Sequence, residues 1–415
     1  MKTLVCGVIG AGALCVAWSA MAAEIAPVIV KQEHNETVIG ADRHATRTMH
    51  LELQATNDSA AAQIGEQALP YNDTMQTLEI LEAYTLKASG ERIPVVPDAI
   101  HAQQRQESPQ QSLYNDLRQK VIIFPSVAGG DSIVITARWR QLHHYIPGQF
   151  FLAQFYARGH VIEDASKTVI APKDFPLHIE SHDLAGETQE SGDTITRRWR
   201  YASANTPSDD AALIDPDDHG PRLYVSSIKN YEELGRAYSD LVSPTLVVTP
   251  SIQALANEVT AGIADRREQS QRLYNWVSRN IRYVALEFGR GSIVPHDAGS
   301  VLGRGYGDCK DHSVLLAALL KAKGIESEIV LIDSGNKYTL SNVPRISQFD
   351  HVIVYLPAFD LYVDATPGVA PFGILPFGEY GKPVVHAIRS GVRHSPHAGD
   401  AAHDVDAQIR CPLRQ

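Results

Sequence analysis

The sequence predicts an α+β protein: an antiparallel, β-rich, sandwich-like region first, then a region in which helices precede strands. Three observations carry this expectation. Residues 30–205 are dominated by period-two alternation, apolar spacing turns helical from Ser251, and strand-like runs return after Gly324. The 415 residues are enough for two separate cores. A composition of 44% hydrophobic and 20% charged residues is that of a folded chain. The expected division is a signal segment over 1–23, a β-rich domain over 24–240, an α+β domain over 241–392 and an irregular tail over 393–415.

The first segment reads as an export signal. Lys2 supplies a positive start, residues 4–18 are almost continuously apolar, and Ala20-Met21-Ala22 offers a small-residue cleavage site. The apolar run is short for a membrane span, and no later segment is better. The mature chain is therefore expected in a periplasm or outside the cell, with no span of its own. The net charge of −11 speaks against a nucleic-acid partner, which needs a basic footprint.

In the β-rich region Met49, Leu51 and Leu53 alternate with polar residues. Ile133, Ile135, Ala137 and Trp139 alternate with Val134, Thr136, Arg138 and Arg140, and the run from Ile195 to Tyr201 repeats the pattern. Ser89-Gly90-Glu91 and Gly129-Gly130-Asp131 are turn signals. Residues 204–221 read as an acidic loop, and Ser243-Pro244 and Thr249-Pro250 punctuate a second boundary. Beyond it, Ile252, Leu255, Ala256 and Val259 share one helical face, and Leu273, Trp276, Val277 and Ile281 another. A third helix opens at Asp308, a natural N-cap. It carries Val314, Leu315, Ala318 and Leu319 as its buried stripe and stops at Gly324. Runs at 326–332, 349–356 and 361–366 then read as strands.

Of the four cysteines, Cys6 and Cys15 leave with the signal, and Cys309 and Cys411 stay. The two could form a disulfide in an oxidising compartment, but two cysteines make no framework. Cys309 falls at the start of the third helix. Unpaired N–H groups there carry partial positive charge, and a cysteine so placed gains nucleophilic character. A base is supplied by the next hairpin. With Pro357 to Asp360 as the turn and Leu356 facing Leu361, Ile353 falls opposite Asp364, and His351 lies on the Asp364 face one pleat along. Diagonal neighbours of this kind are within side-chain reach. The arrangement makes Cys309 a nucleophile, His351 its base and Asp364 the group that orients the imidazole. Singly, each residue is more often structural: a small buried hydrophobe, a packed imidazole, a turn carboxylate. Their order along the chain is what argues for chemistry.

Gly307-Asp308-Cys309-Lys310-Asp311, Asp350-His351-Val352 and Val363-Asp364-Ala365-Thr366 resemble the core of the transglutaminase-like superfamily. The resemblance runs from about Tyr274 to Thr366. It implies a papain-like fold, catalytic positions at Cys309, His351 and Asp364, and acyl transfer from a peptide or protein amide to water or an amine. The preceding region resembles an uncharacterised β-rich domain fused ahead of such cores in secreted bacterial proteins. The Cys309 N–H is the expected oxyanion donor, with Tyr283 a candidate second. Lys310 is expected to be solvated and His312 to lie on the surface or to pack.

No cofactor and no metal are expected. Residues 215–226 are not an EF-hand, because Ser226 stands where a glutamate is needed. Residues 303–307 lack the lysine of a phosphate loop. His143, His144, His394, His397 and His403 have no ligand partners at sensible spacing. The rival expectation is a non-catalytic module whose groove and β-rich domain bind a peptide or envelope component. A third has the core working within a longer assembly.

Overall fold

The computed structural model describes residues 26–105, 116–156, 161–204, 220–285, 289–387 and 392–397. Residues 1–23, expected to be a signal segment, the acidic 215–219 stretch, His403 and Cys411 lie outside them. No helix among the described residues is long and apolar enough to cross a membrane.

The N-terminal region is built on an eight-stranded sheet. Its strands run in the order Ala185–Ser191, Thr194–Ser203, Val161–Pro172, Val28–Ile39, Ala45–Ala55, Ser132–Gln141, Gln76–Leu86, Arg92–Pro94. One pairing departs from the antiparallel expectation: Val28–Ile39 runs parallel to Val161–Pro172. Parallel neighbours need a long crossover, and the chain between these strands supplies one while it builds other strands. Odd-numbered residues of the central strands face inward. Thr37 stands opposite Arg47, Arg47 opposite Trp139, and Lys167 opposite Trp199.

Two smaller sheets lie on that inner face and give the sandwich character. Glu66–Asn72, Leu117–Ile123 and Ile100–Gln104 form one. Leu69, Ile122 and Phe124 close there on Met49, Ile133, Ile135 and Ala137. His178–His182, Arg222–Ser226 and Phe151–Phe155 form the other, where Leu223, Val225 and Phe150 close on Ile39, Val169 and Trp199. Each fully buried aliphatic side chain contributes about 1.5–3 kcal/mol. Lys167 and Thr37 are buried on the same inner face and belong to neither apolar cluster.

The C-terminal region is a five-stranded antiparallel sheet, in the order Leu361–Val363, His351–Leu356, Glu328–Ile332, Pro383–His386, Val392–His394. Helices pack on one face, as the order of elements implied. The helix Cys309–Ala322 lies against His351–Leu356, with Pro250–Val259, Arg266–Asn280 and Ala298–Arg304 around it. Thr249 and Asp265 cap two of these helices by accepting the N–H of Ile252 and of Glu268. The Cys309 helix has no solvent face: every residue from Cys309 to Leu320 is buried. The expected four-residue stripe is only one side of a central element. Another helix, Tyr231–Val242, has no counterpart in the sequence reading and adds Leu234, Tyr238 and Val242 to this core. The opposite sheet face carries Ile353, Tyr355 and Tyr362 and is covered by Leu375 and Tyr380.

Candidate active site

The chain turns sharply into the Cys309 helix. Gly305, with φ of 69°, ends the preceding helix, and Gly307 follows. A Cβ on Gly307 would lie 2.5 Å from that of Asp311, so no larger residue fits without displacing the Asp311 side chain. Asp308 and Asp311 form a capping box, each carboxylate taking the other's backbone N–H at 3.4 Å. Asp311 is anchored further by the His296 N–H at 2.8 Å and by His296 Nδ1 at 3.1 Å. The turn thereby sets Cys309, a free and buried thiol, at the first helical position. The backbone N–H groups there are those a helix leaves without intrahelical partners.

One neighbour differs from the sequence reading. Lys310 is not solvated. It is buried, and its ammonium is paired with Asp308. Burial, with the Asp311 carboxylate adding to it, holds the Asp308 carboxyl above the usual range against the pull of Lys310. Tyr283 is half exposed and stands beside the His312 ring, 6.1 Å between centroids. His312 packs as expected: it is fully buried, with Nδ1 2.8 Å from the Asp308 carbonyl and Nε2 3.1 Å from that of Ile281.

The hairpin adopts the counted register, with Leu356 opposite Leu361 and Val354 opposite Val363. His351 and Asp364 then meet on one face, Nε2 to Oδ2 at 3.1 Å. Asp364 is buried, and its oxygens also accept the Thr366 N–H at 2.9 Å and the Thr366 hydroxyl. Tyr274 fixes the backbone here by donating to the Asp364 carbonyl at 2.9 Å. Burial works against a charged imidazole, but its hydrogen bonds to Asp364 and Cys309 outweigh it and raise the His351 pKa well above its ordinary value. Burial likewise opposes charge on Asp364, yet the bonds from His351 and Thr366 hold its carboxyl below the usual range. With Nε2 committed to Asp364, Nδ1 is the nitrogen left for the thiol.

A fourth residue stands at this site that nothing in the sequence marks. Glu379 lies in a short turn of the segment covering the sheet. It is buried, with Oε1 3.5 Å from His351 Nε2, and Oε2 has no hydrogen-bond partner among the described residues. Burial and the adjacent Asp364 carboxylate push its pKa up to about 8. Both effects favour the neutral acid beside the imidazole over the anion of an ion pair. His351, Asp364 and Glu379 bring potential ligand atoms within 4.8 Å of one another. The imidazole nitrogen they share is already occupied by the Asp364 hydrogen bond, so the set reads as an acid–base cluster. His143, His144, His394 and His397 join no three-residue ligand group among the described residues.

Cys309, Lys310 and His351 line one side of a cavity of about 680 Å³ that lies between the two regions. Tyr238 lines it as well, with its hydroxyl on the Ile293 carbonyl at 3.3 Å. The facing wall belongs to the eight-stranded sheet, with Arg47, Trp139 and Lys167 among its residues.

Comparison with known proteins agrees with this architecture. Residues 41–208 match a domain of unknown function with a solved structure, DUF3857, and residues 253–354 match the transglutaminase-like superfamily. A crystal structure from Parabacteroides distasonis, described as that of a candidate protease, superposes with a TM-score of 0.71 at 17% identity. The superposition covers 89% of this chain and 72% of that one. At this identity the likeness is one of fold. A candidate nutrient-binding protein of Legionella pneumophila aligns at a TM-score of 0.28 with 7% identity, over 61% of this chain and 82% of its own. An M1 zinc metallopeptidase of Deinococcus radiodurans aligns at 0.27 with 10% identity, over 48% and 42%. Both are too distant to bear on the site. No curated protein gives a significant match. Residues 253–354 are thus a transglutaminase-like core, preceded by a DUF3857 domain over 41–208.

Proposed function

We propose that the protein is a cysteine enzyme that transfers or hydrolyses the acyl group of a peptide amide through Cys309, His351 and Asp364. The observation that carries this reading is the 3.1 Å bond from His351 Nε2 to buried Asp364, made beside a free thiol at a helix start. Asp364 orients the ring and favours its charged form, so the thiol proton can rest on Nδ1. The thiolate attacks the amide carbonyl carbon, and the oxyanion forms against the Cys309 N–H. Collapse breaks the C–N bond, with the imidazolium giving its proton to the departing amine. The thioester on Cys309 is then cleaved by water or by an incoming amine, whose proton returns to His351. Residues 1–23 support export as the setting, with the periplasm or the cell exterior as the place of action.

The test is alkylation by iodoacetamide at neutral pH, mapped by mass spectrometry, in the wild type and in His351→Ala. Cys309 should be the reactive residue, and its rate should fall by about tenfold or more in the variant. Equal rates in the two proteins would sink the reading.

A further inference from the structure

The wall of the cavity opposite Cys309 carries charge where a sheet interior normally carries none. Arg47 and Lys167 project from the inner face of the eight-stranded sheet, between the two apolar clusters. Burying cations there is costly unless they are paired. The pairing present is thin. The Lys167 ammonium donates to the Thr37 hydroxyl at 3.0 Å. Glu33 is the one carboxylate acting electrostatically on both cations. Its Oε1 accepts from Asn35 Nδ2 at 3.1 Å and from Gln154 Nε2 at 3.4 Å, and burial raises its pKa. The Arg47 Nε is buried with no hydrogen-bond partner among the described residues. Burial lowers the Arg47 pKa to about 10 and that of Lys167 to about 7, with Glu33 opposing both shifts.

The guanidinium is also held in orientation. Its carbon sits 3.8 Å from the Trp139 ring centroid, a stacking that fixes the plane of its hydrogen-bonding fork. A planar, stacked guanidinium beside an ammonium matches a carboxylate, which accepts two parallel N–H bonds. Both groups line the same cavity as Cys309 and His351.

We propose that Arg47 and Lys167, braced by Trp139, form a carboxylate-binding subsite, so that the acyl donor is a short anionic peptide held between the two domains. This rests on the acyl-transfer reading, because the subsite takes its role from sharing a cavity with Cys309. The β-rich domain is on this view half of the substrate site: it holds the anionic end of the peptide while the scissile carbonyl lies at the thiol. The protein's own charge of −11 repels an anionic peptide in general, so selection depends on this local pair.

The experiment compares alkylation of Cys309 in the full chain by iodoacetyl-glycyl-glycine and by its C-terminal amide. The free carboxylate form should react faster by about tenfold, as expected for hydrogen bonds to a charged group. In Arg47→Gln, and separately in Lys167→Met, the ratio of the two rates should fall toward one. Iodoacetyl-aspartyl amide shows whether a side-chain carboxylate serves as well as a terminal one. A ratio near one in the wild type, or an undiminished ratio in both variants, overturns the subsite and leaves the nucleophile standing. A Cys309 that neither reagent modifies overturns the acyl-transfer reading and the subsite with it.

Discussion

His351 and Asp364 are joined by a 3.1 Å hydrogen bond across a hairpin whose register is set by Leu356 opposite Leu361. The bond makes the imidazole Nε2 a donor and fixes which nitrogen faces Cys309. Asp364→Asn keeps the shape of the pair but removes the charge that favours the protonated ring. Acyl transfer should fall on the order of 10³–10⁴-fold in this variant with little change in folding. Steady-state kinetics on a peptide amide beside a thermal melt will check both halves of that statement.

The same pair makes stability depend on pH in two directions. The Asp364 carboxyl is held below its usual 3.8, so its contribution is present above that value and is lost as acid brings the pH down through the folded value. The His351 pKa is raised above 6.5, so its contribution is full below 6.5 and is lost as the pH climbs through the folded value. Urea midpoints across this range should be highest between the two limits. In His351→Ala the loss on the alkaline side should shrink.

Glu379 has its own signature. Its pKa is raised from 4.5 to about 8, so across that window the folded state holds a proton that the unfolded state has released. Its contribution therefore declines as pH rises from 4.5 toward 8. Glu379→Gln, which is neutral throughout, should gain on the wild type as pH rises. Chemical denaturation at pH 5 and at pH 8 measures this, and an unchanging gap between the two proteins would remove Glu379 from the cluster.

Lys310 and Asp308 form a buried pair at the turn into the Cys309 helix. Removing one partner strands the other charge and also strips the helix cap, so Asp308→Ala should cost about 3–5 kcal/mol. The double variant Asp308→Asn with Lys310→Met should recover part of that loss. The comparison is made by urea unfolding of the single and double variants.

Burial on all sides makes the Cys309 helix intolerant of truncation. Leu316 lies outside the stripe expected from the sequence yet is 1% exposed. Leu316→Ala should therefore cost about 2–5 kcal/mol, as a core leucine does. A surface-like change of a few tenths of a kcal/mol, read from the denaturation midpoint, would contradict the central placement.

The legible features of the sequence were those with a local cause. The Pro357–Asp360 turn fixes the hairpin by itself, and Asp308 and Gly324 punctuate the Cys309 helix, so the meeting of His351 with Asp364 could be counted from the chain. What could not be read depends on distant neighbours. Lys310 is a first-turn lysine that most helices would leave in water. It is buried because three other helices and a sheet enclose its own. Glu379 is a single acidic residue in a glycine- and proline-rich stretch, and only the fold brings it to the imidazole. The parallel pairing of Val28–Ile39 with Val161–Pro172 has no turn to announce it.

That parallel pairing also sets the order in which the protein can be assembled. The first strand of the chain occupies the middle of the large sheet, and contacts such as Lys167 to Thr37 span 130 residues. Until the ribosome has delivered residues 161–172, Val28–Ile39 lacks one of its two neighbours and the sheet cannot close. Topologies dominated by such distant pairings form slowly. The wall of the cleft that carries Arg47, Trp139 and Lys167 therefore takes shape late, only once strands far apart in the chain have met.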